Sequence, residues 1–197
     1  MAKRLILLLT VLLVLPASAL AATVKVRVEG KTQTLFAPTE LTVTAATAQD
    51  ALEQASLAGE FYYHVTVTGF GPYVDQVGRF GVTADSGWVF KENDVSPPVG
   101  ADKVTLKDGD RVLWYYATFG PQGWPPTLFV KATKKGCYAA QAFDDAGKAA
   151  TVTGLVFHIG SKRTIKGQPN VDVCPGPHPG VLVRATATGA VRSNAVK

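Results

Sequence analysis

The sequence predicts two domains, an α+β domain followed by a smaller domain built of strands alone. The chain has 197 residues, of which 47% are apolar and 18% charged, which is a globular composition long enough for one large or two small cores. Nineteen Gly and twelve Pro, with many Val, Thr and Ala, favour short strands joined by turns over a helical bundle. The Pro- and Gly-rich segment 120–126 interrupts the pattern and predicts a linker between residues 23–119 and 127–197.

The first 21 residues have the order of a secretory signal peptide. Lys3 and Arg4 precede an uncharged apolar run, Leu5–Leu15, and Ala19–Ala21 supplies the cleavage pattern of small residues. The apolar run is about half of the ~20 residues that a membrane-spanning helix needs. We therefore expect cleavage before Ala22 and a mature chain without a transmembrane segment, secreted, extracellular or at the cell surface.

The charge of the mature chain is too small to indicate a nucleic-acid partner. Loss of Lys3 and Arg4 reduces the 20 basic side chains to 18, against 15 acidic ones, so the net charge falls to +3. Nucleic-acid binding rests on strongly basic surfaces, and none is indicated here. The expected partner is an extracellular ligand or a cell-surface protein of unknown identity.

The spacing of apolar residues, which differs between strands and helices, predicts the elements of the first domain. Val24, Val26 and Val28 alternate with charged residues, which predicts a strand with one buried face. Thr47 and Asp50 form an approximate capping box, so a short amphipathic helix is predicted to begin there and to end near Gly59. Further strands are predicted at Leu41–Thr44, Tyr62–Val67, Tyr73–Val77, Trp88–Lys91, Val104–Leu106 and Arg111–Tyr116, with a hairpin turn at Asp108-Gly109. One helix held by a set of strands predicts a grasp-like α+β fold.

The second domain shows strand alternation and no helical period. Residues 128–132, 152–156 and 181–187 alternate, and turn signals separate these segments. Such a series of short strands predicts a small sandwich of immunoglobulin-like type. The two cysteines, Cys137 and Cys174, both lie here, and an even count in an exported chain predicts a disulfide between them. A redox or metal-binding thiol would need a C-x-x-C spacing or a nearby His cluster, which the sequence lacks.

No pattern in the sequence indicates catalysis. The chain has no G-x-S-x-G, H-E-x-x-H or Gly-rich phosphate loop, and its three histidines are far apart in sequence. Asp144-Asp145 is the one pair considered for calcium, but two carboxylates supply few of the six or more oxygens that the ion takes. We therefore expect no catalytic residues, no metal site and no cofactor.

Aromatic residues are dense between residues 88 and 124. Trp114 and Tyr115 are neighbours on a predicted strand, so their side chains point to opposite faces of the sheet. One of them therefore faces solvent or is covered by the second domain. The aromatic residues as a group form either the core and a domain interface or a platform for a ligand.

Several motifs of residues 24–119 resemble the transcobalamin-like C-terminal domain family of secreted and cell-surface bacterial proteins. They are Ser86–Phe90, Pro97–Gly100, Leu106–Asp110, Val112–Tyr116 and Tyr73–Gly78. The resemblance implies a grasp-like fold outside the cell. In the vertebrate vitamin carriers that share this domain it also implies contact with cobalamin through the strand that carries the Trp. Trp88 and Phe90 match that ligand-facing strand, whereas the family's following Tyr-Val-Asn-Gly is here Lys91–Asp94.

Together these observations predict a secreted, non-catalytic protein that acts as a binding or interaction module. Trp88 and Phe90 are the candidate ligand-binding residues, and whether Trp88 is core or platform stays open at this point. One alternative is the capture of a small ligand, with a corrinoid such as cobalamin as the named candidate. A second alternative is a structural or adhesive surface protein.

The signal-peptide pattern gives the first testable prediction. Because cleavage is expected after Ala21, the intact mass of protein recovered from the extracellular fraction should correspond to a chain that begins near Ala22. Exported protein that still carries residues 1–21 would contradict this.

Overall fold

The protein is described by a computed structural model that covers residues 21–121 and 123–197. The predicted signal peptide, residues 1–21, lies outside this described part except for its last residue, Ala21. Within it the chain is mostly β-sheet, with a single helix and several small sheets. The elements in chain order are β1 (Ala22–Glu29), β2 (Thr34–Ala45), α1 (Ala48–Gly59), β3 (Tyr63–Thr68), β4 (Gly71–Val77), β5 (Phe80–Gly81), β6 (Ser86–Glu92), β7 (Arg111–Thr118), β8 (Thr127–Lys134), β9 (Cys137–Phe143), β10 (Thr153–Ile159), β11 (Arg163–Lys166), β12 (Val183–Thr188) and β13 (Ala195–Val196).

The first half of the chain is organised by a four-stranded sheet in the order β2-β1-β7-β6. β1 and β7 are parallel, and the two outer pairs are antiparallel. A separate three-stranded sheet has the order β3-β4-β5. In the second half β11-β10-β12-β13 form one sheet, and β8 pairs with β9. This arrangement is compatible with an α+β unit followed by a β-sandwich.

The helix begins where the sequence predicts. The Thr47 hydroxyl accepts a hydrogen bond from the Asp50 N–H at 3.1 Å, and the Asp50 carboxylate accepts one from the Thr47 N–H at 3.0 Å. This reciprocal capping box satisfies two main-chain donors that the first turn leaves without helical partners. The buried stripe is Ala48, Ala51, Leu52 and Ala55. The predicted helix is therefore confirmed, with its end at Gly59.

Two predictions for the segment before β7 are wrong. Val104–Leu106 is not a strand: it makes a single bridge, between Thr105 and Thr47, while Val104 and Leu106 are buried in the core. Asp108-Gly109 is a turn but not a tight hairpin turn, because the strand before β7 is β6, which ends at Glu92, and the whole segment 93–110 connects these two paired strands. The turn is held against the start of β1, where Thr23 donates its N–H to the Asp108 carboxylate at 2.7 Å and accepts from the Gly109 N–H at 2.9 Å.

Trp114 and Tyr115 lie on opposite faces of β7, and both are buried. Trp114 packs in the core of the first half and donates its indole N–H to the Ala48 carbonyl at 3.0 Å. Tyr115 packs instead with a small group of residues that includes Trp124 and Val191. Of the two expected alternatives, exposure to solvent or cover by the second half of the chain, the structure shows the second for Tyr115.

A buried ion-pair network joins the two halves around Glu29, which is 1% exposed. Its carboxylate accepts from Arg27 at 2.9 Å, from the Arg192 Nε at 3.0 Å and from Arg184 at 3.3 Å. Arg27 comes from β1, whereas the other two arginines lie more than 150 residues further along the chain. Thr34 adds a hydroxyl donor at 3.0 Å. The charge of Glu29 is therefore compensated from both halves.

Lys91 makes a second polar link between the halves. Its ammonium group is fully buried and donates to the main-chain carbonyls of Asp144 at 2.6 Å and Phe143 at 3.1 Å, and to the Thr127 hydroxyl at 3.3 Å. Burial lowers the pKa of Lys91, and the nearby carboxylates, Asp145 foremost, act in the opposite direction. Such a group is tolerated in the interior because all three donors have partners.

The predicted disulfide is confirmed. Cys137, the first residue of β9, is bonded to Cys174 in the loop that leads to β12. In the chain-entropy model, closing a loop of this size stabilises a domain by roughly 4 kcal/mol. Among the described residues, the helix found is too short and too polar to cross a membrane.

The network around Glu29 gives the second prediction. Glu29→Gln removes the buried negative charge and leaves Arg27 without its closest acid, so the free energy of unfolding should fall by about 3–5 kcal/mol. Urea denaturation measures this. The matched control is Glu53→Gln on the exposed face of α1, which should change stability by less than about 0.5 kcal/mol. Equal stability of the two variants would contradict the role given to the network.

Candidate functional site

A cavity of about 210 Å³ opens beside β6, which is an edge strand of the four-stranded sheet. None of its lining residues carries a charge, and five are aromatic. The lining residues are Gln49, Pro72, Tyr73, Val74, Trp88, Val89, Phe90, Ser96, Pro97, Gly100, Ala101, Trp114 and Trp124. The cavity is therefore an apolar site with few polar side chains.

The aromatic wall follows from the pairing of β6 with β7. Trp88 and Phe90 lie two residues apart on β6, so they share a face, and they stand opposite Tyr116 and Trp114. The Phe90 and Trp114 rings stack with centroids 5.1 Å apart, and Trp88 meets Tyr116 edge-on at 5.6 Å. The register thus places the two residues singled out by the sequence on one wall, with rings packed behind them.

Trp88 is both a core residue and a lining residue. It is 2% exposed and packs in the core of the first half, where its indole N–H donates to the Phe80 carbonyl at 2.7 Å. Phe90 is half-buried. The ring of Trp88 is fixed in orientation by this hydrogen bond, so the wall is preformed rather than assembled around a ligand.

Four other segments close the cavity. β4 contributes Tyr73, the start of α1 contributes Gln49, the connection between β6 and β7 contributes residues 96–101, and the segment after β7 contributes Trp124. Trp124 is held by an edge-on contact with Phe119, their ring centroids 5.0 Å apart. Gln49 and Tyr73 are not predicted as site residues from the sequence, whereas Trp124 belongs to the aromatic group between residues 88 and 124 for which a ligand platform is one of the two expected roles.

The phenols near the site are neutral at physiological pH. Burial raises the pKa of Tyr73 above its ordinary value, and the charge of Asp75 adds to this. Burial also raises the pKa of Tyr115, on the opposite face of β7 from Trp114. With uncharged walls and neutral phenols, the cavity suits an uncharged ligand group, because an unpaired charge would lose its hydration on entry.

The β3–β4 turn stands next to the cavity and carries a fully exposed Phe70. Thr68 fixes the turn, since its hydroxyl accepts from the Phe70 N–H at 3.2 Å and donates to the Gly71 carbonyl at 2.8 Å. A shallow depression beside this turn shares Pro72, Tyr73 and Gly100 with the cavity. The apolar surface therefore extends from the cavity to the turn.

The other candidate groups of the sequence are used in local structure. His178, in the Pro-rich loop after Cys174, has its Nε2 2.7 Å from the Tyr138 hydroxyl. The Asp144 carboxylate accepts from the N–H groups of Ala146 at 2.9 Å and Lys148 at 2.8 Å, which closes a turn. Within the described ranges no group of three or more His, Cys, Asp or Glu is placed to hold a metal ion.

Comparison with known proteins gives one family match. Residues 45–118, from the last residue of β2 to the last residue of β7, match the model of a domain of unknown function (DUF4430). Among solved structures the chain resembles that of a "putative metal binding protein" from Ruminococcus gnavus ATCC 29149, with 16% identity and a TM-score of 0.38, over 49% of this chain and 97% of that one. That TM-score is too low to establish a shared fold. Comparison with curated proteins found no match.

The position of Trp88 gives the third prediction. Trp88→Ala removes a buried ring and its hydrogen bond to Phe80, so the free energy of unfolding should fall by about 3–5 kcal/mol. Chemical denaturation measures this, with Phe70→Ala as the control, because that ring is fully exposed and its loss should change stability by less than about 0.5 kcal/mol. A Trp88→Ala variant as stable as the unmodified protein would show that the ring does not support the core.

Proposed function

We propose that the chain is an exported, non-catalytic binding protein that takes an uncharged, flat, apolar group of its ligand into the cavity beside β6. The observation that carries the proposal is the cavity wall itself, with five aromatic residues and no charged side chain. Ligand sites in proteins are typically concave, mostly apolar and preformed, with a few polar groups that fix orientation. Preformed aromatic walls of this kind bind planar groups by stacking and by release of water.

The size of the cavity limits what enters it. At about 210 Å³ it is smaller than the roughly 300–1,000 Å³ of sites that enclose a drug-sized molecule. It therefore takes one ring or one branched chain of a larger ligand. The depression beside Phe70 offers apolar surface for the remainder.

The chemistry of the lining supports a binding role over catalysis. Nucleophilic catalysis needs a base within hydrogen-bond reach of the nucleophile. The hydroxyls of the lining belong to Tyr73 and Ser96, and no lining residue is a His, Asp, Glu or Lys. Ser96 does have a carboxylate within hydrogen-bond reach, since its hydroxyl donates to Asp145 at 3.1 Å, but the same carboxylate oxygen lies 3.8 Å from the buried Lys91 ammonium and is paired with it. We assign this group of residues to the link between the halves.

The finer description of the fold is part of the proposal. We assign the first half to a grasp-like, transcobalamin-like domain, supported by the single helix that packs on the four-stranded sheet and by the match of residues 45–118. We assign residues 127–197 to an immunoglobulin-like sandwich, supported by their antiparallel sheets. Export is supported by the disulfide, which persists in oxidising compartments.

A corrinoid is the alternative ligand. It is favoured by the place of Trp88 and Phe90 on the cavity wall, where the family resemblance expects contact with cobalamin. A cavity of about 210 Å³ admits one edge of such a ligand rather than its whole ring system. Held by this cavity alone, such a ligand would keep most of its surface in water, and its affinity would be about micromolar or weaker.

The fourth prediction tests the cavity with p-cresol, a small uncharged ring. Titration followed by 1H–15N NMR should give saturable shifts at Trp88, Phe90 and Trp124, with an affinity of about millimolar for so small a probe. Gln49→Trp places a bulky ring at the cavity and should weaken binding by about tenfold or more. Gln54→Trp makes the same change on the exposed face of α1 and should leave binding unaltered.

Two outcomes would count against the proposal or redirect it. Shifts spread over the surface, or equal binding by the Gln49→Trp and Gln54→Trp variants, would contradict a ligand site in this cavity. Cobalamin is tested in the same way: saturable quenching of Trp fluorescence that p-cresol competes away, and that Gln49→Trp abolishes, would favour the corrinoid alternative.

A further inference from the structure

We infer that the second half of the chain carries a site for an acidic polysaccharide, in an open concavity that basic side chains flank at one end of its sheets. The inference goes beyond the proposed function, because the half of the chain, the ligand and the chemistry all differ from those of the cavity beside β6. It starts from the distribution of charge along the chain.

The small net charge of the mature chain is the difference between two halves of opposite sign. Residues 22–121 contain 8 basic and 12 acidic side chains, which gives −4, whereas residues 127–197 contain 10 basic and 3 acidic ones, which gives +7. Two of these ten cations, Arg184 and Arg192, pair with the buried Glu29 of the first half. The other eight are exposed. A surface on which one sign of charge prevails attracts polyanions.

An open concavity of about 730 Å³ lies beside the turn between β8 and β9. Lys135 lines it from this turn, the Pro-rich loop 176–180 lines it from the other side, and no Asp or Glu side chain takes part. Its volume is in the range of roughly 300–1,000 Å³ that is typical of ligand sites. The concavity is therefore large enough for a saccharide ring and carries a cation at its rim.

A second basic turn, between β10 and β11, lies at the same end. The Gly160 N–H of this turn donates to the Leu182 carbonyl at 2.8 Å, and Leu182 follows the loop 176–180 by two residues. The turn carries Lys162 and Arg163, both exposed. The main chain thus places these two cations next to the loop that lines the concavity.

The cations at this end are not neutralised by acidic side chains. Asp172 lies 3.6 Å from Lys134, the neighbour of Lys135 in the β8–β9 turn. Among the described residues, no acidic side chain lies within 4.0 Å of the charged groups of Lys135, Lys162 or Arg163. These three cations are therefore available to anionic groups of a ligand.

The walls of the concavity are held in place before any ligand binds. The disulfide joins Cys137 to Cys174, and next to it Tyr138 and Val173 exchange two main-chain hydrogen bonds of 2.8 and 2.9 Å. His178 fixes the loop, since its Nε2 lies 2.7 Å from the Tyr138 hydroxyl and the two rings pack with centroids 5.4 Å apart. A preformed wall loses little conformational freedom on binding.

The surface beside the cations favours a saccharide over other polyanions. Pro177 and Pro179 are exposed, and the ring of His178 is half-buried, so the loop offers small flat apolar surfaces. Sugar rings pack on such surfaces with their C–H faces, while the carboxylates of uronic acids project from the ring edge. Lysine is a flexible point charge, which suits anionic groups of variable spacing.

Nucleic acids and membranes fit this lining less well. Single-stranded nucleic acids stack their bases on exposed aromatic rings, but the phenol ring of the lining, Tyr138, is 3% exposed. Surfaces that bind anionic membranes also insert large apolar side chains, and no lining residue is a Leu, Ile, Met, Phe or Trp. An acidic polysaccharide is therefore the polyanion that this end fits best.

The fifth prediction uses the exported protein and tetragalacturonate, an oligosaccharide with four carboxylates. Titration followed by 1H–15N NMR should give saturable shifts at Lys135, Gly136 and His178, with an affinity of about millimolar or tighter. A rise from about 50 mM to about 200 mM salt should weaken binding by about fivefold or more. The same oligosaccharide with its carboxylates reduced to hydroxymethyl groups should bind at least about tenfold more weakly.

A pair of triple variants tests the position of the site. Replacement of Lys135, Lys162 and Arg163 by Gln should weaken binding of tetragalacturonate by about tenfold or more. The control makes the same change of charge at three exposed lysines away from this end and should weaken binding by less than about threefold: Lys25→Gln, Lys107→Gln and Lys148→Gln. Equal losses in the two triple variants would show that only net charge matters and would overturn the inference.

Matched polyanions test the ligand class. Ac-Glu-Glu-Glu-Glu-NH2 carries four side-chain carboxylates without sugar rings, and pentathymidylate carries four phosphates, so both should bind at least about fivefold more weakly than tetragalacturonate. Equal or tighter binding of either probe would overturn the assignment to a polysaccharide. So would displacement of tetragalacturonate by phosphatidylglycerol vesicles at an equal concentration of anionic groups.

The two proposals fail separately. Gln49→Trp, which blocks the cavity beside β6, should leave binding of tetragalacturonate unaltered. Loss of binding in this variant would place the oligosaccharide in that cavity and overturn the inference. Binding of p-cresol without binding of tetragalacturonate would overturn the inference and leave the proposed function intact.

Discussion

The arrangement of the molecule depends on one buried carboxylate. Glu29 is compensated by Arg27 from its own strand and by Arg184 and Arg192 from the other half of the chain. A buried charge is stable only with its partners in place, so the halves cannot separate without exposing or stranding these groups. Because the second half is held in this way, Tyr115 stays covered, and Trp124, which packs in the same cluster, is kept at the cavity.

The cavity exists because two packing requirements meet at the edge strand β6. The face of β6 that carries Trp88 and Phe90 must bury these two rings, which pack beside the rings of β7. The helix α1 and strand β4 cover this face of the sheet. The opposite face of β6 must bury Lys91, whose ammonium group donates to main-chain carbonyls of the second half. The strand is thus fixed from both faces. A rigid strand with an apolar cavity beside it has the features of a preorganised binding site.

The predictable parts of the fold are those encoded within a few residues. The capping box at Thr47 and the alternation along β1 are local, and they predict the helix and the first strand correctly. Val104–Leu106 alternates too, but the core draws both apolar residues towards the helix, so tertiary packing overrides the strand pattern. The Glu29 network and the closing of the cavity by Gln49 and Trp124 bring together residues distant in sequence, and no local pattern encodes such contacts.

The second half of the chain covers one face of β6 and β7, and this limits how such a chain can change in evolution. The matched family segment ends at Thr118, just before the stretch that leads into the second half. A gene fusion that joined this segment to a different neighbour would leave Tyr115 and Lys91 facing water or an unrelated surface. Moving this segment into another protein therefore requires changes on the face of the sheet that carries Tyr115 and Lys91. Relatives with other neighbouring domains should carry smaller or more polar residues at these two positions.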